Sequence, residues 1–202
     1  MTQPASDPIE DAVRAALAGE LIVIPTDTVY GIGTRPDDPA ATARLFEAKA
    51  RPRDLELPIL VASTGTAHEV AAFDARAEGL AAAHWPGPLT LVLPRTERSR
   101  SWELGGEADT VGVRVPHHPL ALAVLAQTGP LAVTSANRSG EPPVSECEAL
   151  ERAFGEAVSV TLCQDEPLVG RPSTVVDLAH GDPRVLREGV LGADAIRAAL
   201  DG

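Results

Sequence analysis

The residues of this chain best suited to chemistry are hydroxyls, cations and one amide, gathered in six short motifs. They are PTDTVYG at 25–31, KARPRD at 49–54, DTVGVRVP at 109–116, TSANRSG at 134–140, RPSTVVD at 171–177 and LREG at 186–189. Each has an ordinary reading when taken alone. Lys49, Arg51 and Arg53 complement the dipole of a helix that ends beside them. SANRSG and RPST are turn chemistry, and Arg114 is a strand residue. Together they describe something else. Hydroxyls, an Asn and cations recur at strand ends, where α/β folds place ligands. Guanidinium and ammonium groups bind phosphate or carboxylate, while hydroxyls and backbone N–H groups orient it. In DTVGVRVP, Thr110 and Arg114 lie four apart on one strand and so share a face. The pattern predicts a site for an anionic ligand.

Other chemistries lack their residues. There is no GxxxxGK[ST] phosphate loop, and GIGTRP lacks the third glycine and the helix start of a dinucleotide fingerprint. No Gly-x-Ser-x-Gly elbow and no His/Glu helix motif for zinc is present. His117-His118 follows VRVP and opens a helix, so helix entry or a surface position is favoured over a metal pair.

The chain has 202 residues and a formal net charge of -12. Such a balance argues against a general nucleic-acid binder, which needs a broad basic surface. It also makes the KARPRD island informative. The length fits a single domain over 1–202, with residues 1–7 expected to be flexible. The N-terminus is polar and acidic rather than a secretory signal, and no apolar run would span a bilayer. A cytoplasmic protein is expected, with Cys147 and Cys163 as free thiols.

The elements that must position the motifs follow from caps and periodicity. Asp7-Pro8 and Asp38-Pro39 each start a helix, running to about 18 and 49. A further helical stretch, TAHEVAAFDARAEGLAAAHW, is broken near Asp74. HPLALAVLAQTG and GADAIRAALDG complete the helices. Strands are predicted at about 20–24, in PILVAS, LTLVLP, TVGVRVP and LAVTSA, and as a late pair in STVVDL and PRVLRE. Residues 95–109 read as a long loop, functional or mobile. Strands and helices interleave without a strict repeat, which predicts a mixed α/β fold.

IPTDTVYGIG, KARPRD, WPGPLTLVL, VGVRVPHHPLA, TSANRSGEPP, PSTVVDL and VLREG occur in that order. The set resembles the YrdC-type L-threonylcarbamoyladenylate synthases, from about residue 10 to the C-terminus. The resemblance implies an α/β twisted open sheet around a large concave cleft, in the short bacterial form. It implies formation of threonylcarbamoyl-AMP and pyrophosphate from L-threonine, bicarbonate or CO2, and ATP, with Mg2+ accompanying the ATP. Downstream tRNA threonylcarbamoyl-transferase proteins would use the product. By the same resemblance Thr28, Arg114 and Ser173 face threonine. Lys49, Arg51, Thr110, Ser135, Asn137 and Arg187 line the nucleotide and phosphate region, with Lys49 and Arg51 as the catalytic cations. The sequence departs from the pattern at Leu55-Glu56, where Lys or Asn and then Pro are common, and at Glu188, where Pro is common. A nucleotide-binding module without turnover, or an RNA-binding one, is the alternative; the acidic composition argues against direct RNA binding.

Overall fold

Asp-Pro pairs start two helices as their chemistry dictates. The computed structural model describes residues 7–144, 146–164 and 166–201. In α1 (Pro8–Leu17) the Asp7 carboxylate accepts from the Ile9 N–H at 2.9 Å, and in α2 (Pro39–Ala48) Asp38 accepts from the Ala40 N–H at 2.9 Å. These bonds satisfy donors that a helix start leaves open. The expected break near Asp74 is a third cap. Asp74 accepts from Ala77 N at 2.9 Å and separates α3 (Thr64–Val70) from α4 (Ala75–His84). The flexibility expected for 1–7 falls outside the described residues, apart from Asp7. Three helices follow, α5 (Pro119–Thr128), α6 (Cys147–Phe154) and α7 (Ala193–Asp201). His118 is the N-cap residue of α5, the helix-entry position expected of it.

Among the described residues, nine strands form one sheet. They are β1 (Leu21–Ile24), β2 (Gly31–Thr34), β3 (Ile59–Leu60), β4 (Leu89–Pro94), β5 (Thr110–Arg114), β6 (Leu131–Ser135), β7 (Val158–Thr161), β8 (Thr174–Asp177) and β9 (Arg184–Arg187). Their order is β7-β1-β2-β6-β3-β5-β4-β8-β9. The pairs β1–β7, β3–β5 and β4–β8 are parallel and the others antiparallel, so the sheet is mixed as predicted. Strand periodicity divides the core. Leu21 and Val23 pack into the larger apolar cluster, while Ile22 and Ile24 pack with Ala12 of α1 and Leu125 of α5 on the opposite face.

Three elements have no counterpart in the sequence reading: β2, α6 and β7. In β2 two of four residues are glycines, which reads as a turn. The glycines are there because β6 runs very close. A Cβ at Gly33 would lie 2.5 Å from the Ala132 carbonyl oxygen, and one at Gly31 would lie 2.5 Å from Val133 Cγ1. The expectation of two free thiols is overturned. Cys147, at the start of α6, forms a disulfide with Cys163 just beyond β7, with Cα atoms 5.8 Å apart. The unpredicted α6–β7 pairing brings together residues that sequence spacing gives no reason to join.

The loop at 95–109 is irregular, as predicted, and anchored. Arg95 is buried and spends its guanidinium on backbone carbonyls: Nε donates to Thr110 at 2.6 Å, and Nη1 to Trp102 at 2.9 Å and Ser99 at 3.2 Å. Trp102 and Leu104 add apolar burial. The loop then braces the segment after α2, through Leu57 N to Leu104 O at 2.8 Å and Gly106 N to Arg53 O at 2.9 Å.

The end of α2 sets the course of KARPRD. Arg51 N bonds Phe46 O at 2.9 Å and Ala50 N bonds Glu47 O at 3.0 Å, with Ala50 at φ 48°. This is a Schellman stop whose left-handed position carries alanine instead of glycine. Two substitutions test these backbone constraints by thermal unfolding. Gly33→Ala forces β2 from β6 and lowers stability by about 1–3 kcal/mol. Ala50→Gly relieves the left-handed alanine and raises stability by about 0.5–1 kcal/mol, the remainder being lost to unfolded-chain entropy.

Candidate functional site

The site is built on strand ends. The loop leaving β1 supplies Thr26 and Thr28, the end of β5 supplies Arg114, and β6 supplies Ser135. Ser173 precedes β8, Arg187 ends β9, and Arg51 follows α2. All seven line one cleft of about 390 Å³, within the usual range for a small-molecule site.

Arg114 has little freedom. Its side chain is only 6 % exposed. Nε donates to the Gly87 carbonyl at 3.0 Å, Nη1 to Thr28 Oγ1 at 3.0 Å and Nη2 to Asp27 Oδ1 at 2.5 Å. Burial pulls its pKa down, and the Asp27 carboxylate opposes that shift. Asp27 is itself fixed by the His117 N–H at 2.9 Å. A guanidinium has five N–H donors. Three are engaged, which leaves donors on the terminal nitrogens for a ligand carboxylate.

Arg187 reaches back across the strand end. Nε and Nη2 donate to the Ser173 carbonyl at 3.1 and 3.0 Å, and Nη2 also meets Ser173 Oγ at 3.2 Å. Arg51 curls onto its own segment, giving Nε to Leu55 O at 3.2 Å and Nη2 to Glu56 O at 2.8 Å. Burial lowers the pKa of Arg51, and the nearby Arg187 charge lowers it further. Arg187 presses on Arg114 in the same direction. Three guanidinium groups thus face one cleft in an acidic chain, and a bound anion would relieve their mutual repulsion.

Six of the nine predicted site residues line the cleft: Thr28, Arg51, Arg114, Ser135, Ser173 and Arg187. The other three stand behind its wall. Lys49 is 1 % exposed, and its ammonium donates to the carbonyls of Ser135 and Asn137. Burial first, and the Arg51 charge second, bring its pKa down to about 8. Asn137 uses Nδ2 on Arg138 O at 2.8 Å and Glu141 O at 2.7 Å, with Oδ1 buried and unpartnered. Thr110 shares the face of Arg114 but sits at the other end of β5, under the anchored loop. Lys49 and Arg51 part company because the left-handed turn at Ala50 stands between them.

Sequence reasoning did not single out Thr26, Thr90 or Glu56 as site residues, yet all three line the cleft. Glu56 is its one carboxylate among the described residues. Burial pushes its pKa up to about 7, against the pull of Arg95 and the Gly112 N–H. Its Oε1 lies 3.6 Å from Arg95 Nη2 without a hydrogen bond. No group of three or more His, Cys, Asp or Glu among the described residues could hold a metal ion. This donor set suits Mg2+ only as an ion carried by a nucleotide's phosphates, with Glu56 as the single carboxylate among the described lining residues.

The sequence matches the family described as "Sua5_yciO_yrdC: Telomere recombination" over residues 14–189. A relative named threonylcarbamoyl-AMP synthase, from Chromohalobacter salexigens, is 42% identical over 185 residues, covering 89% of this chain and 97% of its own. Among solved structures, Pyrococcus abyssi Sua5 complexed with L-threonine superposes with a TM-score of 0.87 at 35% identity. That match covers 98% of this chain, which spans 59% of the archaeal protein's length. E. coli YciO gives a TM-score of 0.86 at 27% identity, covering 97% of this chain and 100% of its own. The matched span of 14–189 takes in every polar motif from PTDTVYG to LREG, and the chain belongs to the Sua5/YciO/YrdC family.

Proposed function

We propose that this protein is a threonylcarbamoyl-AMP synthase, joining L-threonine, bicarbonate or CO2, and ATP to give threonylcarbamoyl-AMP and pyrophosphate. The observation that carries the reading is the grouping of cations in one cleft. Arg114 is bonded to Thr28, and the Arg187 charge acts on both Arg114 and Arg51. A carboxylate fork with two further cations in the same cleft suits an amino acid and a nucleotide held together. Arg114 takes the threonine carboxylate, with Thr28 and Ser173 at its sides. Arg51, Arg187 and Ser135 attend the phosphates.

Little acid–base machinery is needed. The threonine nitrogen lone pair forms the N–C bond to CO2, a C–O π pair moves to oxygen, and one amine proton leaves to solvent. A carbamate oxygen then attacks the α-phosphorus, and pyrophosphate departs with the electrons of the broken P–O bond. The protein holds two anions together and offsets charge growing at phosphorus. Mg2+ bound to ATP would supply further neutralisation of the phosphate oxygens. Lys49 acts differently from Arg51 in this reading. It ties α2 to the Ser135–Asn137 wall and so positions Ser135. The product would pass to tRNA threonylcarbamoyl-transferase proteins.

Pyrophosphate release that requires ATP, threonine and bicarbonate together tests the function. Release without threonine, or ATP binding without release, would refute it. Arg114→Lys keeps a cation beside Asp27 but loses the fork. It weakens threonine binding by roughly 1.5–3 kcal/mol in calorimetry and leaves ATP affinity within a few fold. Arg51→Ala slows pyrophosphate release by about 10²–10³ with little change in melting temperature. Lys49→Met does the reverse. It takes the ammonium donor from the Asn137 carbonyl and leaves the Ser135 carbonyl only its bond from the Asn137 N–H, costs about 1–3 kcal/mol of stability, and leaves the folded fraction within several fold of wild-type rate.

A further inference from the structure

The hydroxyls of PTDTVYG form a chain whose proton positions follow by elimination. Thr26 Oγ1 lies 2.5 Å from the Val29 carbonyl oxygen, which can only accept, so the single Thr26 hydroxyl proton is spent there. Thr26 Oγ1 and Thr28 Oγ1 are 2.9 Å apart. With its own proton committed, Thr26 must accept and Thr28 must donate. The N–H groups of Thr28 and Val29, at 3.3 and 3.2 Å, also point at Thr26 Oγ1 and favour the same assignment. Arg114 Nη1 donates to Thr28 Oγ1 at 3.0 Å, because a guanidinium has no acceptor. The polarity therefore runs one way, from Arg114 through Thr28 and Thr26 to the Val29 carbonyl. Thr28, which lines the cleft, has no proton left to give a ligand. It has one lone pair to offer.

We infer that Thr26 is a positioning residue: by holding the Thr28 proton it makes Thr28 an acceptor only, and so selects a ligand that presents an amine N–H beside its carboxylate. This rests on the reading of the protein as a threonylcarbamoyl-AMP synthase and adds how the amino group is held. A carboxylate at Arg114 places the α-amino group, one carbon away, next to Thr28 Oγ1. An acceptor there takes an amine N–H and leaves the nitrogen lone pair facing elsewhere, free to attack CO2. A freely rotating hydroxyl would instead donate to the carboxylate as readily as it accepts from the amine. It would then discriminate poorly against an acid that lacks the amine.

The test compares L-threonine with 3-hydroxybutyrate, which keeps the carboxylate and hydroxyl and lacks the amine. Calorimetry is run on wild type, Thr26→Val and Thr26→Ser, with ATP affinity measured alongside. Thr26→Val preserves shape and removes the acceptor. It should lower threonine affinity by about tenfold or more. Binding of 3-hydroxybutyrate and of ATP should change by less than about threefold. Thr26→Ser restores the hydroxyl and should return threonine affinity to within about threefold of wild type. Unchanged threonine binding in Thr26→Val overturns the inference. So does an equal loss for threonine and 3-hydroxybutyrate, or a Thr26→Ser variant as impaired as Thr26→Val. If Thr26→Val does not fold, Thr26→Ala and Thr26→Ser decide: a selective loss of threonine affinity in Thr26→Ala that Thr26→Ser restores upholds the inference, and any other pattern overturns it. Threonine-dependent pyrophosphate release by wild type is followed in parallel. Its absence, with the preference for the amine intact, would overturn the synthase reading alone.

Discussion

The contact on which the cleft depends is the one Arg114 makes with Asp27 and Thr28. Arg114 belongs to β5, whereas Asp27 and Thr28 belong to the loop leaving β1. In the sheet order, β2, β6 and β3 lie between those strands. Four strand spacings amount to roughly 19 Å in a flat sheet, well beyond the reach of one side chain. The sheet must twist, and the loop after β1 must cross the intervening strand ends, for the contact to exist. The concavity and the anchor of the site are therefore the same structural fact. β2 shares in this, because only glycines let it lie so close to β6 beneath that loop.

Such an anchor is not there for stability alone. Taking a guanidinium and a carboxylate out of water costs about as much as their attraction returns, and replacing a buried pair by apolar side chains is often neutral or better. Arg187 and Arg51 add further cations to the same space, and each arginine's pKa is lowered by its burial. The arrangement is held together by backbone carbonyls of Gly87, Ser173, Leu55 and Glu56, which accept without adding net charge. The cleft therefore keeps three guanidinium groups against one carboxylate among its described lining residues, in an acidic chain.

Much of this was legible in the sequence because the relevant rules are local. Asp7, Asp38 and Asp74 cap helices by contacts two or three residues away, and the apolar runs of β1, β4 and β6 need no distant information. Apart from KARPRD, which follows α2, the polar motifs lie on or beside strands, and six of the residues they carry line one cleft. What escaped was set by distant neighbours. Gly31 and Gly33 look like a turn until β6 is known to press on them. Cys147 and Cys163 look like separate thiols until α6 and β7 are placed side by side. Thr110 shares a strand face with Arg114, but the loop held by Arg95 covers that end. No local signal separates Thr26 from Thr28, since only the Val29 carbonyl and the Arg114 guanidinium distinguish their roles.

Lys49 and Arg51 show how far charge density can be read. As a sequence they are one positive island, and a dense island in a chain of net charge -12 points to an anion. As a structure they are two different devices. α2 must end before the cleft, and its stop requires a left-handed residue at position 50. That turn sends Arg51 to the cleft and leaves Lys49 on the inner side of the helix end. There a full charge survives only by taking carbonyls as partners, and Ser135 and Asn137 supply them. The cation behind the wall bonds the segment that carries Ser135, and the cation in front lines the cleft while it bonds the Leu55 and Glu56 carbonyls. A helix terminator, more than the chemistry of either side chain, decides which of the two cations lines the cleft.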